Sequence, residues 1–392
     1  EVDLRQVARL RSDGRKRPRH RRCVEIGPGH PAAIVPQRSG HPAARMHLDP
    51  AMSATSAISA ASQDGLLDEL LTSLGAQVLL TVRPNLHARV VRQTVHRDTV
   101  LDLHPYLADL RRRSREDGTV RAQPDETEAS VEATVWRALA LRLAGPAAAK
   151  RARAAGEAIA RLQAEDGRVS FSQAHPGAYM PTTIAILAWN GQTDLAGARE
   201  RAVAFLLAQK SDHYPRSRAS DISIDTDLAG WSWIERTFAW AEPTALALLA
   251  LESAGAGEHP RAVEGRALLL NRQIASGGWN YGNARVFDAE LRPAQESTGL
   301  VLAALAGRIP ATAVTASLAY LEAVAPALRT PLALGWACLA QNAWRSLTPT
   351  RDTGSAASSS QRQALAMRET LARESRYGSY DSAELALLAV AL

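Results

Sequence analysis

The chain has very little cysteine, with only Cys23 and Cys338 among 392 residues. Two thiols cannot form a disulfide framework, which favours a reducing compartment, and cytoplasm is the expected location. No uncharged apolar run approaches the roughly 18 residues that crossing a bilayer needs. A helical integral membrane protein is therefore excluded, while peripheral contact with a membrane stays open. The apolar core of a secretory signal is missing as well. Gly-x-Gly-x-x-Gly, P-loop, Gly-x-Ser-x-Gly and Cys-x-x-Cys patterns are all absent, which leaves nucleotide-dependent and redox chemistry without support. His96, His104, His213 and His259 lack metal-ligand spacing.

What is present is enough apolar material for a large core: 46% of residues are hydrophobic and 22% charged. The net charge of +6 is local. Residues 1–50 hold 11 Lys/Arg against 5 Asp/Glu, so the remaining 35 charges of each sign balance. This basic segment includes Arg-Lys-Arg-Pro-Arg-His-Arg-Arg at 15–22 and has no Trp and no sustained periodicity, as in disordered chain. Such an arm can bind nucleic acid or anionic lipid. Glu1 at the start, and Met46 and Met52 where the composition changes, favour an over-extended reading frame or a fragment instead. Residues 1–60 are expected to be a disordered tail or non-native extension, and no nucleic-acid partner is expected for the body.

The body, 61–392, carries an internal repeat. Glu116-Asp117-Gly118-Thr119-Val120 is echoed at Glu165-Asp166-Gly167-Arg168-Val169, and 16 residues after each glycine comes Thr134 or Thr183. Each threonine opens an apolar, Ala-rich run. Similar runs open at Thr244, Thr298, Thr330 and Ser382, at spacings of 49, 61, 54, 32 and 52 residues. A period near fifty signals a repeat architecture. These runs bear few charges on any side, as helices enclosed by others do, whereas Arg151-Ala-Arg-Ala-Ala-Gly-Glu-Ala-Ile-Ala-Arg-Leu and His259-Pro-Arg-Ala-Val-Glu-Gly-Arg-Ala-Leu-Leu-Leu are amphipathic. The alternation predicts an all-α fold: an α/α toroid of about six helical hairpins, inner helices apolar and outer helices amphipathic, with an open α-solenoid as the competing geometry. Leu66-Leu67-Asp68-Glu69-Leu70-Leu71 is a further amphipathic stretch suited to covering one end. The chain stops inside an inner-helix pattern, so a missing final hairpin is part of the expectation.

Gln273-Ile-Ala-Ser-Gly-Gly-Trp279-Asn-Tyr-Gly resembles the Gln…Gly-Gly-Trp repeat of squalene–hopene cyclases, oxidosqualene cyclases and protein prenyltransferase β subunits. Leu162-Gln163-Ala-Glu-Asp166-Gly167 is similar to a weaker copy, and Leu206-Leu-Ala-Gln209-Lys-Ser-Asp212 to a third. The resemblance spans roughly residues 101–392 and implies that superfamily's toroid and an isoprenoid-binding cavity. The motif in that family ties outer helices together through the Gln side chain, the Trp and a helix end. Physical reading agrees: Gly277 and Gly278 can end a helix in a left-handed conformation that Trp279 then covers.

The family's reactive motifs are mostly missing. The cyclase acid is the middle Asp of Asp-x-Asp-Asp-Thr-Ala, and no two aspartates are adjacent in this chain. Trp240-Ala241-Glu242-Pro243-Thr244-Ala245 is the nearest register match, which sets Glu242 in the acid's place and Pro243 in that of its neighbour. An Asp-Asp-x-x-Asp box is absent, which disfavours magnesium diphosphate chemistry. Cys338 follows Trp336 where a zinc-binding prenyltransferase needs Asp, so no metal is expected there. Glu132 and Glu296 share the Glu-x-Thr pattern of Glu242, and all three suit a first turn, where free N–H groups and the helix dipole favour a carboxylate.

The linker from Ser211 to Ala241 is far longer than usual between bundle helices and concentrates acids with aromatics, including Asp212, Asp221, Asp225, Asp227, Glu235, Tyr214, Trp231, Trp233, Phe238 and Trp240. A carboxylic acid that protonates an alkene, beside aromatic faces that stabilise the cation, would use such residues. The expected catalytic residues are Glu242, Asp225 and Asp227. The expected substrate-binding residues are Trp231, Trp233, Phe238, Trp240, Trp279 and Tyr281, and the partner is an isoprenoid or other apolar small molecule. Asp225-Thr226-Asp227 reads first as a solvated Asx turn, with a divalent-cation site completed by Asp221 as the alternative, and no resident cofactor is otherwise expected. Trp136, Trp189 and Trp336 lie in inner runs and read as core or cavity wall, and His175 with Tyr179 as surface or cavity groups. Two other functions fit the same residues: a non-catalytic module that binds lipid, peptide or a partner enzyme, and a carbohydrate-active toroid using Asp225 with Glu242.

Overall fold

The computed structural model describes residues 110–212, 224–286, 289–347 and 353–391, except the side chains of 147 and 353–361. The expectations for residues 1–60 and 66–71, and for His96, His104, His213, Tyr214 and Asp221, lie outside the described residues. The described chain is mostly helical, and its strands are β1 (Arg285–Val286) and β2 (Ala289–Glu290), paired antiparallel.

Among the described residues, the eleven α-helices of eight residues or more alternate in character, and a single turn at Glu374–Tyr377 precedes the last of them. α1 (Val131–Leu143), α3 (Pro181–Ala188), α5 (Ala241–Ser253), α7 (Gln295–Leu305), α9 (Pro331–Leu347) and α11 (Ser382–Ala391) coincide with the six apolar runs. α2 (Ala149–Leu162), α4 (Ala196–Ala208), α6 (Pro260–Asn271), α8 (Thr315–Val324) and α10 (Thr353–Ala372) lie between them in sequence. The start signals are local. The Ser130 hydroxyl accepts the Ala133 N–H and caps α1, and Pro181, Pro260 and Pro331 occupy first-turn positions whose missing N–H costs nothing.

Each odd-numbered helix packs against the odd-numbered helix before and after it, and α11 packs against both α9 and α1. Each even-numbered helix packs on the odd-numbered helix that precedes it. The odd helices supply most of the core, and alanine at Ala138, Ala185, Ala245 and Ala337 lets their backbones approach closely. Among the described residues no helix is long and apolar enough to cross a membrane.

The repeated turn holds these layers together. The N–H groups of Val120, Val169, Trp231 and Trp279 donate to Thr134, Thr182, Thr244 and Thr298 in the next odd-numbered helix, at 3.0, 2.8, 3.1 and 3.0 Å. The second acceptor is Thr182, one residue before the expected Thr183, whose hydroxyl instead donates to Met180 O in its own turn. Gln163 Nε2 reaches Ala198 O on α4, and Gln273 Nε2 reaches Ser317 Oγ on α8, so both glutamines link consecutive even-numbered helices. Gly277 has φ +110°, and a Cβ there would lie 2.5 Å from Ala316 O of α8. Glycine is needed at that turn for its dihedral and for the backbone pressed against it.

Candidate functional site

The first turns of all six odd-numbered helices line one cavity of about 350 Å³. Its walls are apolar: Val135 and Trp136 of α1, Met180, Pro181 and Ile184 at α3, Leu246 of α5, Leu300 of α7, Leu332 and Trp336 of α9, and Leu387 of α11. Phe171 and Trp233 enter from the loops before α3 and α5. The Trp136 and Trp336 rings meet edge to face with centroids 5.8 Å apart. Five carboxylates share this space, Glu132, Glu242, Glu296, Asp381 and Glu384, and among the described residues the lining has no Lys, Arg or His.

The carboxylates differ in how they are held. Asp381 caps α11 by accepting the Ala383 N–H at 2.7 Å, while Glu384 reaches back toward the Asp381 N–H at 3.4 Å, a reciprocal capping box. Glu242, in the first turn of α5, accepts the hydroxyl of Ser297 on α7, with Oγ to Oε1 at 2.8 Å. Burial raises the pKa of Glu242, the Ser297 hydrogen bond pulls the other way, and the Glu296 charge raises it further. Glu132 is exposed as a residue, yet lost solvent and then the Asp381 and Glu384 charges hold its carboxyl above the ordinary range. Asp381 and Glu384 are raised chiefly by burial, against which their capping hydrogen bonds act. Acids that retain protons above the usual range, facing indoles in an apolar cavity, are equipped to donate a proton.

Of the expected site residues, the structure brings Glu242 and Trp233 together in this cavity. Trp231 and Trp279 do not line it. Both are fully buried, with indole N–H groups donating to Leu206 O and Leu269 O, and they occupy the turn position that Val120 and Val169 hold in the other copies. Arg261 lies over the Trp231 ring, 4.5 Å from its centroid, and donates to Ala229 O and Gly230 O. These tryptophans fasten the repeat. Phe238, Trp240 and Tyr281 are exposed and lie outside the cavity lining. Asp225 and Asp227 are also exposed, and the Asp225 carboxylate accepts the Asp227 N–H at 3.0 Å, which makes an Asx turn. Among the described residues no group of three or more His, Cys, Asp or Glu could hold a metal ion. Cys338 is buried in α9, its thiol pushed up to about 12 by burial.

His175 is exposed and contacts Ser172, while Tyr179 is buried beside Ser232. Trp189 is core, its N–H bonded to Gly156 O. Sequence reasoning missed Asp381, Glu384, Phe171 and Met180 as site residues. The available signal was positional, since the run opening at Ser382 carries its acids at the same end as Glu132, Glu242 and Glu296.

No family model matches the chain, and no curated protein matches it. Among solved structures the chain is similar to a protein from Actinoplanes, with 16% identity and a TM-score of 0.45, over 75% of this chain and 95% of that one.

Proposed function

We propose that the chain is an α/α toroid of the terpenoid cyclase and protein prenyltransferase type, and that it isomerises or cyclises a short isoprenoid or similar apolar alkene by acid-initiated carbocation chemistry. The observation that carries this reading is Glu242, an acid of raised pKa in an apolar cavity it shares with Trp136, Trp233, Trp336 and Phe171. The toroid itself is supported by the succession of odd-numbered helices in which the last packs on the first, and by the glutamine links between even-numbered helices.

In the proposed mechanism the protonated Glu242 carboxyl transfers its proton to a carbon–carbon double bond. The π pair forms the new C–H bond, a carbocation remains on the substrate, and Glu242 becomes a carboxylate. Aromatic faces and neighbouring carboxylates stabilise the cation. Loss of a proton to a carboxylate in the cavity then restores a double bond, so the product is an isomer of the substrate. The tryptophans in this role are Trp136, Trp233 and Trp336, since Trp231 and Trp240 do not line the cavity.

The volume of about 350 Å³ supports a small substrate. It lies near the lower end of the roughly 300–1,000 Å³ typical of small-molecule pockets. Among the described residues the lining is acidic and apolar without a basic group, which supports an uncharged substrate over a prenyl diphosphate. Exposed Ile234, Phe238, Trp240 and Tyr281 suit peripheral contact with a membrane interface, from which an apolar substrate would enter. The test is incubation with neutral acyclic terpenes, their epoxides and prenyl diphosphates, with and without magnesium, followed by mass spectrometry. A magnesium-independent isomer of a neutral substrate, lost in Glu242→Gln, is the expected result. Unchanged turnover in Glu242→Gln would remove Glu242 from the chemistry, and tight binding without turnover would favour a non-catalytic module.

A further inference from the structure

The first turns of the odd-numbered helices are superficially alike, and one position in them differs chemically. The residue before the threonine that anchors each turn is Ala133 in α1, Pro181 in α3 and Pro243 in α5, but Ser297 in α7. Ser297 is fully buried, and its hydroxyl donates to Glu242 Oε1 at 2.8 Å across the α5–α7 contact. Ala133, also fully buried, demonstrates that this turn folds without a hydroxyl. The hydroxyl at 297 is thus not required by the repeat, and the group it serves is the acid in the cavity.

We propose that Ser297 is a positioning residue for Glu242: its hydroxyl engages Oε1, fixes the carboxyl plane, and leaves Oε2 as the oxygen that presents the proton to the cavity. The assignment deepens the acid-catalysis reading, yet the hydrogen bond and its effect on Glu242 can be measured without turnover. Among the described residues, the charged groups lining the cavity with Glu242 are Glu296 from α7, Glu132 from α1, and Asp381 and Glu384 at α11, while α3 and α9 present only apolar residues. All four carry negative charge when ionised and disfavour a further charge at 242, whereas the Ser297 hydrogen bond favours the ionised form of Glu242. Its removal must move Glu242 titration to higher pH.

The experiment is infrared difference spectroscopy on the full chain across pH. Subtracting Glu242→Gln from wild type isolates the Glu242 carboxyl band, and subtracting the Ser297→Ala/Glu242→Gln double variant from Ser297→Ala isolates the same band without the hydroxyl. The expected result is a Glu242 midpoint shifted upward in Ser297→Ala and returned toward wild type in Ser297→Thr, which keeps a hydroxyl. With an active substrate, the alkaline limb of the kcat/KM profile moves upward in parallel, whereas a merely structural loss would lower the rate at every pH without moving the limb. A midpoint unchanged in a folded Ser297→Ala protein overturns the proposal. A shifted midpoint with no turnover of any substrate upholds the positioning role and counts against the cyclase reading instead. If Ser297→Thr fails to fold, the Ser297→Ala midpoint decides alone.

Discussion

Replacing Gly277 by alanine probes the contact that holds one repeat against the next. Gly277 has φ +110°, and the added Cβ would lie 2.5 Å from Ala316 O and 2.7 Å from Ala316 C, backbone atoms that cannot swing aside. The left-handed conformation costs an L-residue about 1–2 kcal/mol. Forcing α8 outward adds about 1–3 kcal/mol of overpacking. The entropy that alanine removes from the unfolded chain offsets up to about 1 kcal/mol. The net expectation is a destabilisation of about 1–4 kcal/mol. Gly255 supplies the control, because its φ is +76° and a Cβ there meets nothing within 4 Å. Gly255→Ala pays the dihedral cost alone, about 1 kcal/mol or less after the entropic offset. Urea unfolding of both variants, compared at equal slope so that midpoints report stability, separates the two contributions. If Gly277→Ala is no more destabilising than Gly255→Ala, the turn is not clamped against α8 and the account of the repeat fails.

Three further outcomes follow from the same geometry. Thr182→Val leaves the buried Val169 N–H and C=O without their partner and should cost about 1–3 kcal/mol, whereas Thr183→Val removes only a bond within its own turn and should cost about 1 kcal/mol or less, both read by urea midpoints. Trp231→Phe keeps a ring under Arg261 but loses the indole N–H to Leu206 O, and should cost about 1–2 kcal/mol in the same assay. Glu132 holds its proton more tightly folded than unfolded, so its destabilising contribution is absent below its ordinary value of 4.5 and grows as pH rises through the folded value. Glu132→Gln should accordingly match wild type in thermal stability near about pH 4 and exceed it at neutral pH; equal melting temperatures at both would refute the assignment.

Helix identity was legible where burial left a compositional trace. Enclosed helices have no polar face, so runs such as Thr244-Ala-Leu-Ala-Leu-Leu-Ala-Leu announced α5, and the amphipathic stretch ending at Leu162 announced α2. Register was less legible. The loop between Val169 and Thr182 is one residue shorter than that between Val120 and Thr134, so counting sixteen residues from Gly167 arrives at Thr183. The third copy is disguised further, because some twenty residues separate Gln209 from Trp231 where five separate Gln273 from Trp279. Along the chain Trp231 therefore resembles an aromatic of a functional loop. Its backbone N–H bond to Thr244 and its indole N–H bond to Leu206 O identify it as the counterpart of Trp279.

The carboxylates expose a different limit, because one sequence pattern has separable causes. A first-turn acid is favoured by the free N–H groups and dipole of its own helix, and that explanation suffices for Asp381, whose carboxylate accepts a backbone N–H of α11. Glu242 has the same address and a different partner: its hydrogen bond comes from Ser297 on the neighbouring helix. A local capping rule would put that bond on α5, and a neighbour's hydroxyl does nothing for the N-terminus of α5. Helix stability explains why an acid is tolerated at 242, but the crossing bond ties its orientation to the cavity that α5 and α7 jointly line. Sequence spacing carries the first of these facts. The second depends on which helices become neighbours, and no local pattern contains it.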